Sequence, residues 1–310
     1  MFSEPLHEAS HVFLPRDATV DTGDAIGTRP AKFIIFDALG AAGMLDAPAV
    51  EVIVAHDAAW PTQFALPGNV RLCACPRGTS ILRLWGMAMA QATQDYVAAL
   101  DIHCPPQAAW WACARREIER ATPLFFGPVD PGWDGGDARI TGYLAEYVQF
   151  HSPLAADLDE APGNNIVCRR DLLEAPDKLA ADGFFKTFMV WKLAREQQLA
   201  PRALNGMAVV YRKPFAMGHY AKRRYVHGRC FAACRFDNPG QPPRLACLAF
   251  TPLLPLLRVW RIHRAVARHD AMRRAFFWQL PRLALSELAW SAGEFMGYAF
   301  GGRAYCERLD

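Results

Sequence analysis

Carboxylates and imidazoles recur in this chain directly after short apolar runs. The run 50–55 ends in His56-Asp57, and the run 96–100 ends in Asp101-Ile-His103. An ionised carboxylate only accepts hydrogen bonds, so Asp57 suits an N–H partner. An oxygen ligand and an imidazole two residues apart are the ligand types of hard and borderline cations. Basic chemistry lies elsewhere, at Arg83, in Lys222-Arg-Arg-Tyr225 and in His227-Gly-Arg229. Asn164 and Asn165 follow Pro162-Gly163. Each residue also has a plainer reading. Asp57 suits a turn cap, Asp101 a helix cap, His103 a loop and Arg83 a solvated helix face. Asn tolerates the left-handed backbone of a turn.

These residues need elements to hold them. Apolar runs predict strands over 11–14, 50–55, 70–75, 96–100, 122–127, 166–168 and 207–211. Helical spacing fills 30–45, 79–92, 106–120, 143–150 and 185–198. Residues 21–27 read as a polar, glycine-bearing loop. Strand and helix in short alternation predict an α/β fold, a mostly parallel central sheet with helices on both faces. Ligands of such sheets sit at the C-terminal ends of the strands. His56-Asp57 and Asp101-Ile-His103 fall at those ends.

Composition narrows the classes. With 310 residues and 52 % hydrophobic side chains, the chain can bury a large core. A net charge of +3 is too small to imply a nucleic-acid partner. Nine cysteines are spread along the chain without a C-x-x-C pair, which predicts reduced packing thiols, not a zinc site. The first fifteen residues lack the basic start and apolar run of a secretory leader. No glycine-rich dinucleotide or P-loop signature occurs, since Gly40-Ala-Ala-Gly43 falls inside a helical pattern.

The last 75 residues differ. Apolar stretches at 245–257 and 275–301 are interrupted by Pro252, Pro255 and Pro281. Between them lie Arg258, Arg261, Arg264, Arg268, Arg273 and Arg274, opposed only by Asp270. Neither stretch reads as a clean bilayer span. Trp260, Trp278 and Trp290 among arginines predict helices lying in one leaflet, on an anionic membrane surface. The plainer alternative is two helices packed on the core.

Taken in order, the motifs carry a resemblance. Val52-Ile-Val-Ala-His-Asp57, Arg83-Leu-Trp-Gly86, Tyr96-Val-Ala-Ala-Leu-Asp-Ile-His103 with Pro105, Pro106 and Trp110, Pro162-Gly-Asn-Asn165 with Arg169-Arg170, and Gly183-Phe184-Phe185 follow one another as in glycosyltransferase family 2. The tail is similar to the membrane-associated end of bacterial members. The resemblance spans about residues 48–301. It implies a GT-A nucleotide-sugar-binding domain over 1–235 and a membrane-associated helical tail over 236–310. It implies an inverting hexosyltransferase at the cytoplasmic face of the inner membrane. Such an enzyme moves sugar from a nucleotide-diphosphate donor to a lipid-linked or glycan acceptor.

The resemblance also assigns roles. Asp57, Arg83, Asp101, Arg224 and Arg229 would bind the donor. Asp101 and His103, with His227, would hold Mg2+ or Mn2+. Asn164, Asn165 and Trp110 would line the acceptor side. The chain departs from the pattern at one position: the family's catalytic carboxylate falls at Lys186. A lysine acts as a base only when burial lowers its pKa. Asp182 is the nearby substitute, out of register. That departure sustains a second expectation, a degenerate partner subunit in envelope polysaccharide assembly.

Overall fold

The computed structural model describes residues 11–13, 31–57, 66–133, 135–155, 158–237 and 240–309. The loop expected at 21–27 lies outside them. Along the chain run β1 (His11–Phe13), α1 (Ala31–Ala41), β2 (Glu51–His56), β3 (Val70–Ala74), α2 (Ile81–Ala90), β4 (Tyr96–Leu100), α3 (Trp110–Glu119), β5 (Leu124–Phe126), β6 (Val129–Pro131) and α4 (Ile140–Glu146). There follow β7 (Asn165–Arg169), α5 (Pro176–Asp182), α6 (Lys186–Gln197), β8 (Arg202–Ala203), β9 (Val209–Tyr211), α7 (Met217–Arg235), α8 (Arg244–Phe250), α9 (Leu254–Val266) and α10 (Asp270–Phe300).

The chain divides into two compact units, Met1–Asp130 with Ser152–Tyr211, and Pro131–His151 with Arg212–Asp310. A boundary at 235/236 places α7 in the first unit, but the structure groups it with the C-terminal helices. The physical reason is its backbone contact with α10, described below.

The first unit is built on a seven-stranded sheet of order β3-β2-β1-β4-β7-β5-β8. β1 pairs in parallel with β2 and β4, β2 with β3, and β5 with β8. β7 alone runs antiparallel, between β4 and β5. β2 is buried at Val52, Ile53, Val54 and Ala55, and every residue of β4 is buried. Continuous burial, not alternation, is what a sheet covered on both faces demands. Because β7 is reversed, its N-terminal end lies at the edge where the parallel strands end.

One glycine pair fixes the helix that borders this edge. A Cβ on Gly86 of α2 would stand 2.1 Å from the Leu179 carbonyl oxygen and 2.7 Å from Gly183 Cα. Gly183 itself has φ +81°, and a Cβ there would meet the Leu82 backbone at 2.7 Å. The Phe184 N–H then donates to the Leu82 carbonyl at 2.8 Å. Backbone thus rests on backbone, and neither side has a side chain that can yield. Gly86→Ala is expected to cost about 3 kcal/mol or more, read as a lower urea midpoint at unchanged m-value.

The second unit is helical. α7 and α10 approach through glycine: a Cβ on Gly228 would lie 2.3 Å from the Trp290 carbonyl oxygen, and one on Gly293 2.1 Å from that of Tyr225. The prolines of the tail do not break it as the sequence suggests. Pro252 and Pro255 fall in the first turns of a 3-10 segment (Thr251–Leu253) and of α9. The missing N–H has no partner to lose there. The helical segment Arg244–Val266 is therefore continuous, 23 residues long, and long and apolar enough to cross a membrane. Only 11 % of its most apolar stretch is buried. Leu245, Phe250, Leu253, Leu256, Leu257 and Trp260 are exposed along it. α10 continues through Pro281 for 31 residues.

Candidate functional site

Asp101 directly follows β4, and the register Leu100↔Asn165 sets the first residues of β7 beside it. Asp101 is buried, 4 % exposed, and its Oδ1 accepts the His103 N–H at 2.9 Å. Its carbonyl accepts the Cys104 N–H at 2.8 Å. The carboxylate thus holds a tight turn that presents the half-buried His103 directly after the strand. Asn164 is fully buried, and its Nδ2 lies 2.9 Å from Cys104 Sγ. Asn164 Oδ1 has no hydrogen-bond partner. A buried oxygen without a donor is costly unless a ligand or cation completes it.

Asp57 directly follows β2 and is buried. Its Oδ2 accepts the Gly78 N–H at 2.8 Å, which ties down the loop between β3 and α2. Arg83 and Trp85 are half-buried on α2. The Gly183 contact brings Lys186, at the start of α6, to the same border. A Cβ on Gly163 would stand 3.2 Å from Lys186 Cγ and 3.8 Å from the Trp85 ring. Desolvation lowers the Lys186 pKa, and the charge of Glu160 partly restores it. Asp101, His103, Asn164, Lys186 and Arg83 are therefore held by one edge of one unit. Glu160 is an acid that the motif comparison misses, because it lies outside the Gly-Phe segment where a carboxylate is sought. Its signal is its place three residues before Gly163.

Other expected site residues are used differently. Trp110 is fully buried and donates its Nε1–H to Asn165 Oδ1 at 2.8 Å. Asn165 Nδ2 donates to the carbonyls of Pro128 (2.9 Å) and Met207 (2.7 Å). This pair joins three chain segments in the core and has no surface to offer an acceptor. Asp182 is exposed and pairs with Lys178 at 3.0 Å, so it does not stand in for the missing carboxylate.

Arg224, Arg229 and His227 belong to the second unit, Arg224 buried and the other two half-buried. Arg224 is 3 % exposed, and its Nη2 donates to Glu287 Oε1 at 2.8 Å and Oε2 at 3.0 Å. Arg258 also donates to Glu287, and both guanidinium groups lie over the Trp290 ring, at 4.3 and 4.6 Å. Arg229 donates to the Gly301 carbonyl and lies over the Tyr305 ring at 4.0 Å. The His227 ring stands 4.8 Å from that of Trp290.

Burial, then the charge of Arg224, pushes the His227 imidazole down to about 3. The unfolded residue titrates near ~6.5. Below that pH the unfolded state takes up the proton first, so His227 stability is present at neutral pH and is lost on acidification. At pH 5 the expected loss is about 1–2 kcal/mol. His227→Asn is expected to flatten the urea stability profile between pH 7 and 5.

No family model and no curated protein matches the chain. Among solved structures, the mannosyltransferase PcManGT from Pyrobaculum calidifontis, in complex with GDP-Man and Mn2+, superposes with a TM-score of 0.50. It is 16 % identical, over 96 % of this chain and 91 % of that one. S. aureus TarS 1–349 in complex with UDP-GlcNAc aligns at TM-score 0.47 and 12 % identity, over 93 % and 91 %. The GT-A fold is shared. At this identity the likeness carries architecture and no activity. Within that architecture, Asp101-Ile-His103 directly follows β4.

Proposed function

We propose that the chain is a glycosyltransferase that takes a sugar from a nucleotide-diphosphate donor at the β2 and β4 strand ends. The observation that carries this reading is the buried Asp101 turn beside Asn164 at the edge of a GT-A sheet. A similar fold holds GDP-Man and Mn2+ in the P. calidifontis mannosyltransferase. Asp57 would accept a base N–H with the oxygen lone pairs left beyond Gly78. Arg83 would face the diphosphate.

A divalent cation, Mg2+ or Mn2+, fits the residues present. Asp101 supplies a carboxylate oxygen, His103 an imidazole and Asn164 a buried oxygen without a donor. Such an ion neutralises charge on a departing diphosphate. Lys186 would receive the acceptor hydroxyl's proton, because desolvation favours its neutral amine. Inversion, a hexosyl donor and membership of family 2 follow from this reading as proposals.

The exposed apolar residues of α8, α9 and α10, with Arg261, Arg264, Arg268, Arg273 and Arg274, support seating on an anionic membrane. The cytoplasmic face of the inner membrane and a lipid-linked or glycan acceptor are proposed on that basis. A catalytically degenerate partner subunit is the second reading, favoured by one observation: a lysine occupies the place where the base is expected.

Calorimetric titration with UDP and with GDP, each with and without Mn2+, tests the donor site. Saturable binding strengthened by Mn2+ is the expected result. Absence of binding under every condition sinks the transferase reading. Donor binding without turnover across a broad acceptor panel leaves the degenerate subunit.

A further inference from the structure

The second unit holds a cluster that the proposed transfer chemistry does not use. Cys230 and Cys234 lie one turn apart on α7, and Cys306 reaches them from the C-terminal 3-10 segment Arg303–Arg308. Their Sγ atoms all lie within 4.8 Å of one another. Cys234 Sγ is 3.6 Å from Cys306 Sγ. Cys230 and Cys306 are joined as a disulfide. Cys230 is buried, and the other two are half-buried.

We propose that, once reduced, these three cysteines form a thiolate site for zinc, which fastens the C-terminal segment to α7. Thiolates about 2.3 Å from a tetrahedral zinc lie about 3.8 Å apart. The Cys234–Cys306 separation already matches that edge. Three sulfurs select a soft or borderline ion over magnesium or calcium. Half-burial on one side leaves the fourth position to water or an exogenous ligand. Two arginines neighbour the cluster in sequence and hold residues beside it. Arg229 precedes Cys230 and lies over Tyr305, which precedes Cys306. Arg235 follows Cys234 and donates to Tyr298 Oη at 3.1 Å.

The disulfide is the closed state of the site. Opening it takes two electrons from two molecules of a small thiol, which leave as their own disulfide. The two protons end on Cys230 and Cys306. Zinc entry then displaces the thiol protons to solvent. The site is therefore available in a reducing compartment and shut in an oxidising one, independently of any transfer activity.

The full-length protein, reduced with a phosphine and freed of metal and reductant, is titrated anaerobically with Co2+ and then Zn2+. The expected result is one equivalent of Co2+ with sulfur-to-cobalt charge-transfer absorption, displaced by one equivalent of Zn2+. Cys234→Ser and, separately, Cys306→Ser are expected to weaken Zn2+ binding at least ~100-fold, with circular dichroism unchanged. Two variants guard against one failing to fold. The double variant Cys73→Ser/Cys75→Ser removes the other close thiol pair, 3.8 Å apart, and should keep the site. Protein with the disulfide intact, verified by non-reducing peptide mapping, should show no sulfur-to-cobalt band. No charge-transfer band in reduced wild type, or a band that survives Cys234→Ser, overturns the proposal.

Discussion

Asp101→Ala is expected to abolish the Mn2+-dependent part of nucleotide binding, lowering the affinity for the preferred nucleoside diphosphate at least ~100-fold in Mn2+, about 2.7 kcal/mol. Affinity measured without metal should move little, because only the cation's link to the diphosphate is removed. The fold should survive. The side chain accepts the His103 N–H, and losing a bond of that kind costs about 1 kcal/mol. Asp101→Asn sharpens the test: the amide oxygen can still accept from His103, while the charge is gone. If Asn restores thermal stability but not the metal dependence, the carboxylate acts on the cation. Metal dependence that persists in both variants moves the cation away from β4.

Glu287→Gln is expected to be the most destabilising conservative change in the second unit. Glu287 has no exposed surface and receives donors from both Arg224 and Arg258. Burial works against the Arg224 charge, and Glu287, Tyr220 and Glu146 together more than offset it, so its pKa is raised. Removing the counter-charge leaves a guanidinium 3 % exposed with no carboxylate on it. Breaking such a pair from one side costs about 3–5 kcal/mol. Removing Arg224 as well, in Arg224→Met/Glu287→Met, should recover much of that loss, because the charge left behind, on Arg258, is 25 % exposed and reaches solvent. Chemical denaturation of Arg224→Met, Glu287→Met and the double variant closes the cycle. A Glu287→Gln variant within 1 kcal/mol of wild type (about fivefold in the folding constant) shows that water reaches the pair.

What the sequence discloses follows from local rules. β4 occupies 96–100 as its apolar run predicts, because a strand buried on both faces has to be continuously apolar. Asp101 and His103 stand at its end for the same reason. The reversed strand β7 was legible as a strand at 166–168, but not its partner, since pairing is a long-range choice. For that reason Asn164 is found beside Asp101 only in the structure. Asn165 and Trp110 are polar and aromatic residues 55 positions apart, and residue type does not distinguish a sugar-binding indole from one tied to a buried amide. Arg224 and Glu287 are 63 positions apart, and each alone reads as a surface charge. Spacing hid the cysteine cluster too: Cys230 and Cys234 share a helix face, but Cys306 returns to them over 72 residues. The seven other cysteines carry no disulfide, as expected, and Cys230–Cys306 is the correction. Proline misled for a related reason, since its effect depends on whether it falls in a helix's first turn or in its middle.

The glycine contact between α7 and α10 has a mechanical consequence. Helices held apart by side chains slide over one another when rotamers change. Helices whose backbones touch, as at Gly228 against Trp290 and Gly293 against Tyr225, have no such bearing surface. α7 and α10 therefore behave as one beam. A load placed on the exposed flank of α10, by lipid or by any other body, is transmitted to α7 with no slack between them.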